Sequence, residues 1–99
     1  MFVALERLIN LEEGYRQVFR VAGRELLLMV VEQQPLLIDN RCPHIGAPLA
    51  NASLQANTLC CARHGVRFDL QSGQALDGQC PALTFYRVVY EGDRLGVDL

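Results

Sequence analysis

Three features of this chain point to an all-β domain. Its strand signals are short and punctuated by turn residues. The longest apolar run, 26–31, is strand-sized. Most of the glycine and proline falls between residue 41 and about residue 83, so the middle of the chain reads as loops and short hairpins. With 99 residues and 51% hydrophobic content the chain makes one small domain, near the lower end of what a single apolar core stabilises without help. The expected organisation over 1–99 is a β base built from both ends, 1–40 and 84–99, with a subdomain inserted at about 41–83.

Each element follows from its own residues. A strand over 2–8 opens the series; Leu5, Leu8, Ile9 and Glu12-Glu13 also fall at helix-like spacing, but the expectation is strand then loop. The second strand covers 16–21, Ala22-Gly23 is a turn, and the third covers 24–31, apolar on both faces and therefore central. Residues 32–35 break that run, and a strand over 36–39 leads into the inserted segment. Short strands over 58–60 and 66–69 flank a second loop, and Gln71-Ser72-Gly73 is a turn. Near the end, Phe85, Arg87 and Val89 alternate with Tyr86, Val88 and Tyr90. Glu91-Gly92-Asp93-Arg94 then turns the chain, and Leu95, Val97 and Leu99 form one apolar face.

Two segments carry the chemistry. Cys42-Pro43-His44 and Cys61-Ala62-Arg63-His64 hold both histidines of the chain, with sixteen residues between His44 and Cys61. Thiolate and imidazole hold iron in mixed clusters, and a 2Fe-2S centre with two cysteines on one iron and two histidines on the other needs this inventory. Zinc takes the same four groups, but its structural sites favour two close cysteines followed by two close histidines, whereas each box here is mixed. One Cys-x-His arises by chance, and a lone buried cysteine is usually a small hydrophobe. It is the pair of boxes that points to metal. Four cysteines also permit two disulfides in a secreted mini-protein, a pattern that the box spacing argues against.

With Gly46 and Leu49 after the first box, Gly65 after the second, and Phe68-Asp69-Leu70 followed by Gly73, the sequence resembles the Rieske family. The resemblance implies Rieske-type antiparallel sheets with an inserted cluster-binding subdomain. It also implies one 2Fe-2S cluster, with Cys42, His44, Cys61 and His64 as ligands. Gly46 and Gly65 then stand where a side chain would crowd a loop wrapped round the cluster and where positive φ is tolerated, and Pro43 and Pro48 stiffen the first loop. The outer ends of the histidine rings become the electron ports, inside an apolar collar of Ile45, Ala47, Pro48, Val66 and Pro81 suited to brief docking. Cys60 and Cys80 remain as reduced thiols in a cytoplasm. Packing is the expected role of both, although Cys80 precedes Pro81 in a loop that the family places over the cluster.

The departures from the respiratory members are informative. Those members carry an extra cysteine in each box, joined as a disulfide; the matching residues here are Ala47 and Arg63, so that clamp is absent. They also place a serine and a tyrosine hydroxyl against the cluster sulfurs, where this chain has Val66 and Phe68. Hydrogen bonds to sulfur stabilise the reduced cluster, so their loss implies a potential near the low end of the family range, around -150 mV rather than about +300 mV.

Composition narrows the function. A net charge of -2 and no basic cluster argue against nucleic acid. No stretch offers the roughly 18 apolar residues of a membrane span, and the N-terminus shows no secretory signal, so a cytoplasmic protein is expected. No histidine remains for a mononuclear iron on two histidines and a carboxylate, and no Gly-x-Gly-x-x-Gly supplies a nucleotide site. The resemblance then implies a soluble Rieske-type ferredoxin, of the kind that serves bacterial ring-hydroxylating dioxygenases. Such a protein is an electron-transfer component rather than a self-contained enzyme and binds no small-molecule substrate. It takes electrons from a flavin-dependent reductase and passes them to a terminal oxygenase. The alternatives are a Rieske-like small subunit of an NADH-dependent nitrite reductase or other multi-subunit redox enzyme, and a colourless interaction module. Arg41, Arg63 and Arg67, close to the boxes, read either as solvated charge or as steering for an acidic partner.

Overall fold

The computed structural model describes residues 1–43, 46–63, 65–78 and 80–99. Among these residues the chain runs β1 (Phe2–Arg7), one turn of 3-10 helix (Leu8–Asn10), β2 (Arg16–Val21), β3 (Arg24–Val31), β4 (Gln34–Asp39), β5 (Ser53–Gln55), β6 (Thr58–Cys60), β7 (Arg67–Asp69), β8 (Phe85–Tyr86), β9 (Val88–Glu91) and β10 (Arg94–Asp98). They form three antiparallel sheets, ordered β1-β10-β9, β2-β3-β4-β8 and β5-β6-β7.

The both-faced apolarity of β3 has a direct cause. Successive side chains of a strand point to opposite sides, and β3 lies between two cores. Leu27, Met29 and Val31 face the inserted segment and pack in one buried cluster with Ile38, Leu49, Leu59, Phe68, Leu70 and the two box cysteines. Leu26 and Leu28 face the other way and pack with Val21, Leu37, Leu95 and Val97 under β1-β10-β9. Full burial of each leucine contributes about 1.5 to 3 kcal/mol, so β3 is the wall shared by the two clusters.

Tight turns set the register. Ala22 and Gly23 both have positive φ, as a two-residue hairpin between β2 and β3 requires. Glu32 and Gln33 do the same between β3 and β4, and the Glu13 carboxylate accepts hydrogen bonds from both of their backbone N–H groups, at 2.8 and 2.7 Å. That anchor lets β4 begin at Gln34, earlier than expected, with Pro35 inside it. The N–H of Val30, opposite Pro35, donates to Tyr15 on the β2 side, so the proline nitrogen faces the edge that β8 leaves uncovered.

Other expectations are corrected. After β1 the chain makes a 3-10 turn, closed by Leu11 N–H donating to Leu8 C=O, rather than plain loop. The alternation over 85–90 is divided at Arg87: β8 joins β4 while β9 joins β10, so one apparent strand serves two sheets. Leu99 lies beyond β10 and is exposed, and Gly96 rather than a larger residue lies between buried Leu95 and Val97. β5 was not expected; only Leu54 of its three residues turns inward, too little alternation to register in sequence.

Candidate metal centre

Two loops with the same hydrogen bonds carry the boxes. In the first, Cys42 N–H donates to Ala47 C=O at 2.7 Å and Gly46 N–H donates back to Cys42 C=O at 2.6 Å. In the second, Cys61 N–H donates to Val66 C=O at 2.9 Å and Gly65 N–H donates to Cys61 C=O at 2.9 Å. Each loop therefore closes on its cysteine with a glycine four residues later, although the histidine stands two residues after Cys42 and three after Cys61. Gly46 and Gly65 have φ of 76° and 70°, the left-handed region in which a Cβ is costly. Among the described residues no atom stands within 4 Å of a Cβ built on Gly65, and on Gly46 the nearest is the Arg41 guanidinium. The backbone conformation alone favours glycine at both positions.

Both cysteines are almost fully buried, and both belong to the cluster under β3. His44, His64 and Ile45 lie outside the described residues. Among the described residues no group of three or more Cys, Asp and Glu side chains comes together. Two buried thiols, each at the foot of a loop that holds a histidine, form a donor set suited to a mixed-ligand iron-sulfur cluster.

Neighbouring elements fix each loop. The buried Asn40 side chain accepts the Leu49 N–H at 2.9 Å and donates to the Glu25 carboxylate at 3.2 Å, while its own N–H donates to Glu25 C=O, tying the first loop to β3. Arg16 on β2 donates to Ala50 and Ala52 carbonyls at 2.9 and 2.6 Å. Neither residue stood out in sequence, because a single Asn or Arg before contacts are known is ordinary surface. Beyond the second loop, Arg67 forks onto Asp77 with both contacts at 2.8 Å, and its backbone N–H adds a third at 3.1 Å. The Arg67 guanidinium holds the Asp77 carboxyl below the usual carboxylate range, and Asp77 raises Arg67. Arg67 is therefore a structural clamp and not a free steering charge.

Of the expected collar, Pro48 and Pro81 are exposed and Val66 is half-buried, whereas Ala47 is turned inward into the core. Phe68 is fully buried in the same cluster as Cys42 and Cys61. Cys80 is half-buried against that cluster, while Cys60 points to the other side of β6, opposite Arg67. Gly73 at φ 80° lies against the Phe85 ring, which a Cβ would meet at 2.6 Å; it also receives the Leu83 N–H and brings the chain back beneath the loops.

Comparison with known proteins agrees with this arrangement. Residues 2–87 match the family model described as Rieske [2Fe-2S] domain. The ferredoxin component of a naphthalene 1,2-dioxygenase system from Pseudomonas aeruginosa is 34% identical over 96 residues, 93% of this chain and 89% of the relative. Among solved structures, the ferredoxin of carbazole 1,9a-dioxygenase from Nocardioides aromaticivorans IC177 is similar with a TM-score of 0.82 and 27% identity, covering 97% of this chain and 95% of that one. A ferredoxin solved in complex with the reduced oxygenase of carbazole 1,9a-dioxygenase shares the fold, with a TM-score of 0.82 at 20% identity over 97% of this chain and all of that one.

Proposed function

The chain belongs to the Rieske 2Fe-2S family, and we propose that within it the protein is a one-electron carrier whose cluster is held by Cys42, His44, Cys61 and His64. When bound, the cluster supplies reversible one-electron chemistry in which no substrate bond is made. The chain's own residues do the rest. Cys42 and Cys61 supply thiolates from a water-poor core. Each matched loop carries a histidine in sequence beyond its cysteine, and Asn40, Arg16 and the Arg67–Asp77 fork tie those loops to neighbouring elements and limit their motion. Rigidity limits the rearrangement that accompanies a change of charge, which is what a carrier needs.

The observation that carries this reading is the repeated hydrogen-bond pattern around Cys42 and Cys61. The likeness to dioxygenase ferredoxin components over most of both chains supports it against the nitrite reductase subunit. The carrier receives its electron from a flavin-dependent reductase and delivers it to a terminal oxygenase, in the cytoplasm. Among the described residues no helix is long and apolar enough to cross a membrane.

The test is the purified protein itself. It should be red-brown, contain two irons and two labile sulfides, and give on reduction an EPR spectrum of low average g. Added between a flavin reductase and a Rieske-type oxygenase, it should restore NADH-dependent turnover. Zinc in place of iron, or a spectrum typical of four cysteines, would refute the ligand set.

A further inference from the structure

We infer that the face carrying the two ligand loops is a locally basic docking surface, so that the redox partner meeting it presents carboxylates, against the sign of the protein's net charge. The inference rests on the carrier reading above. Residues 40–68 contain no Asp or Glu; their only charged side chains are Arg41, Arg63 and Arg67. Arg67 is neutralised in its fork with Asp77. Arg41 and Arg63 are both exposed, and among the described residues neither closes an ion pair.

Each stands beside one of the two cysteines, which share one buried cluster. Arg41 precedes Cys42 and lays its guanidinium over the first loop, with one nitrogen 3.6 Å from where a Cβ on Gly46 would stand. Arg63 lies inside the second loop, between Cys61 and His64. Glu25 and Asp39 line the groove beside Arg41. Glu25 is committed to Arg20 at 2.8 Å and to Asn40, and Asp39 makes no ion pair with Arg41. Of the other carboxylates, Asp69 at the end of β7 accepts hydrogen bonds from Ser72, and the rest, such as Glu12, Glu13, Glu32, Glu91 and Asp93, belong to turns and strand ends of the base. The net charge of -2 is therefore unevenly spread. At physiological salt a charge is felt over only about 8 Å, so a partner touching the loops senses the two arginines and, of the acids of the base, chiefly Asp39 in the groove beside Arg41. Rim charges of this kind set encounter rate and partner choice more than final affinity.

Small inorganic oxidants of opposite sign test this without a protein partner. Dithionite-reduced holoprotein gives one electron to tris(oxalato)cobaltate(III), an anion, or to tris(phenanthroline)cobalt(III), a cation, each forming cobalt(II). Stopped-flow absorbance follows cluster oxidation as ionic strength rises from about 0.01 to about 0.1 M, across which the screening length falls from about 30 to about 10 Å. The rate with the anion should fall by at least about twofold and the rate with the cation should rise. In the Arg41→Gln/Arg63→Gln double variant, with its cluster absorbance intact, both slopes should take the sign set by the net charge. A rate with the anion that rises in the unaltered protein overturns the inference, as does a double variant whose slopes do not change. A protein with no iron-sulfur absorbance would instead defeat the carrier reading and this inference with it.

Discussion

Asn40 offers the most direct test of how the first loop is held. It is the one buried polar side chain among the described core residues, at 4% exposure, and its amide oxygen is the acceptor for the N–H of Leu49, which is fully buried. Asn40→Ala leaves that N–H without its acceptor, and a buried unsatisfied donor costs about 1 to 3 kcal/mol. The lost contact to Glu25 is long and half-exposed, and contributes less than about 1 kcal/mol. The expected loss is thus about 2 to 3 kcal/mol, which for a domain of this size lowers the melting temperature by roughly 10 to 20 °C. Urea unfolding of the apoprotein followed by circular dichroism measures the stability, and bleaching of the visible absorbance of the holoprotein measures cluster retention. Asn40→Asp sharpens the test. It keeps an acceptor for Leu49 but sets a carboxylate against Glu25, so its deficit should grow as pH rises through the carboxylate range. An Asn40→Ala protein within about 0.5 kcal/mol of the parent, with unchanged cluster loss, would refute the anchoring role, since surface substitutions away from such features fall in that range.

Three further outcomes are expected. Phe68→Tyr and Val66→Ser each restore a hydroxyl at a position where respiratory relatives have one; a hydrogen bond of about 1.5 to 3 kcal/mol, made mainly in the reduced state, raises the potential by up to roughly 65 to 130 mV for one electron. Protein-film voltammetry showing no rise, with the cluster intact, would mean other positions set the potential. Gly96→Ala places a Cβ against the Val3 carbonyl and the Phe2 ring, and should destabilise by at least about 2 to 3 kcal/mol in urea unfolding. Gly92→Ala, in open space at φ 59°, should cost only about 1 to 2 kcal/mol; equal losses would remove the packing argument. The Glu6 carboxyl is held below its usual range by Asn10, Tyr15 and the Arg7 N–H, so its contribution to stability is present above the unfolded carboxylate pKa and fades as pH falls through the folded one. Tyr15 is raised by burial and then by its 2.7 Å bond to Glu6, so its contribution fades instead as pH rises beyond the usual phenol range. Tyr15→Phe should shrink both losses, and unfolding midpoints at neutral, acid and alkaline pH that keep their spacing would contradict this.

The chemistry and the fold class are legible in the linear chain. Two mixed boxes name their ligand types without any folding, because the metal's preference for thiolate and imidazole is a property of those side chains alone. β3 was legible as the central strand because burial on both faces demands an unbroken apolar run, and the Ala22-Gly23 turn was legible because a two-residue hairpin requires positive φ. The roles that depend on partners distant in sequence emerge only on folding. Asn40 and Arg16 became loop anchors only when their acceptors, up to 36 residues away, arrived beside them. The same approach turned Arg67 from a free charge into a clamp on Asp77, divided residues 85–91 between two sheets, and left Arg41 and Arg63 as the uncompensated charges beside the cysteines. Hydrogen bonds and ion pairs need geometry from two places at once. A linear pattern records what a side chain can do, and the fold selects the neighbour with which it does it.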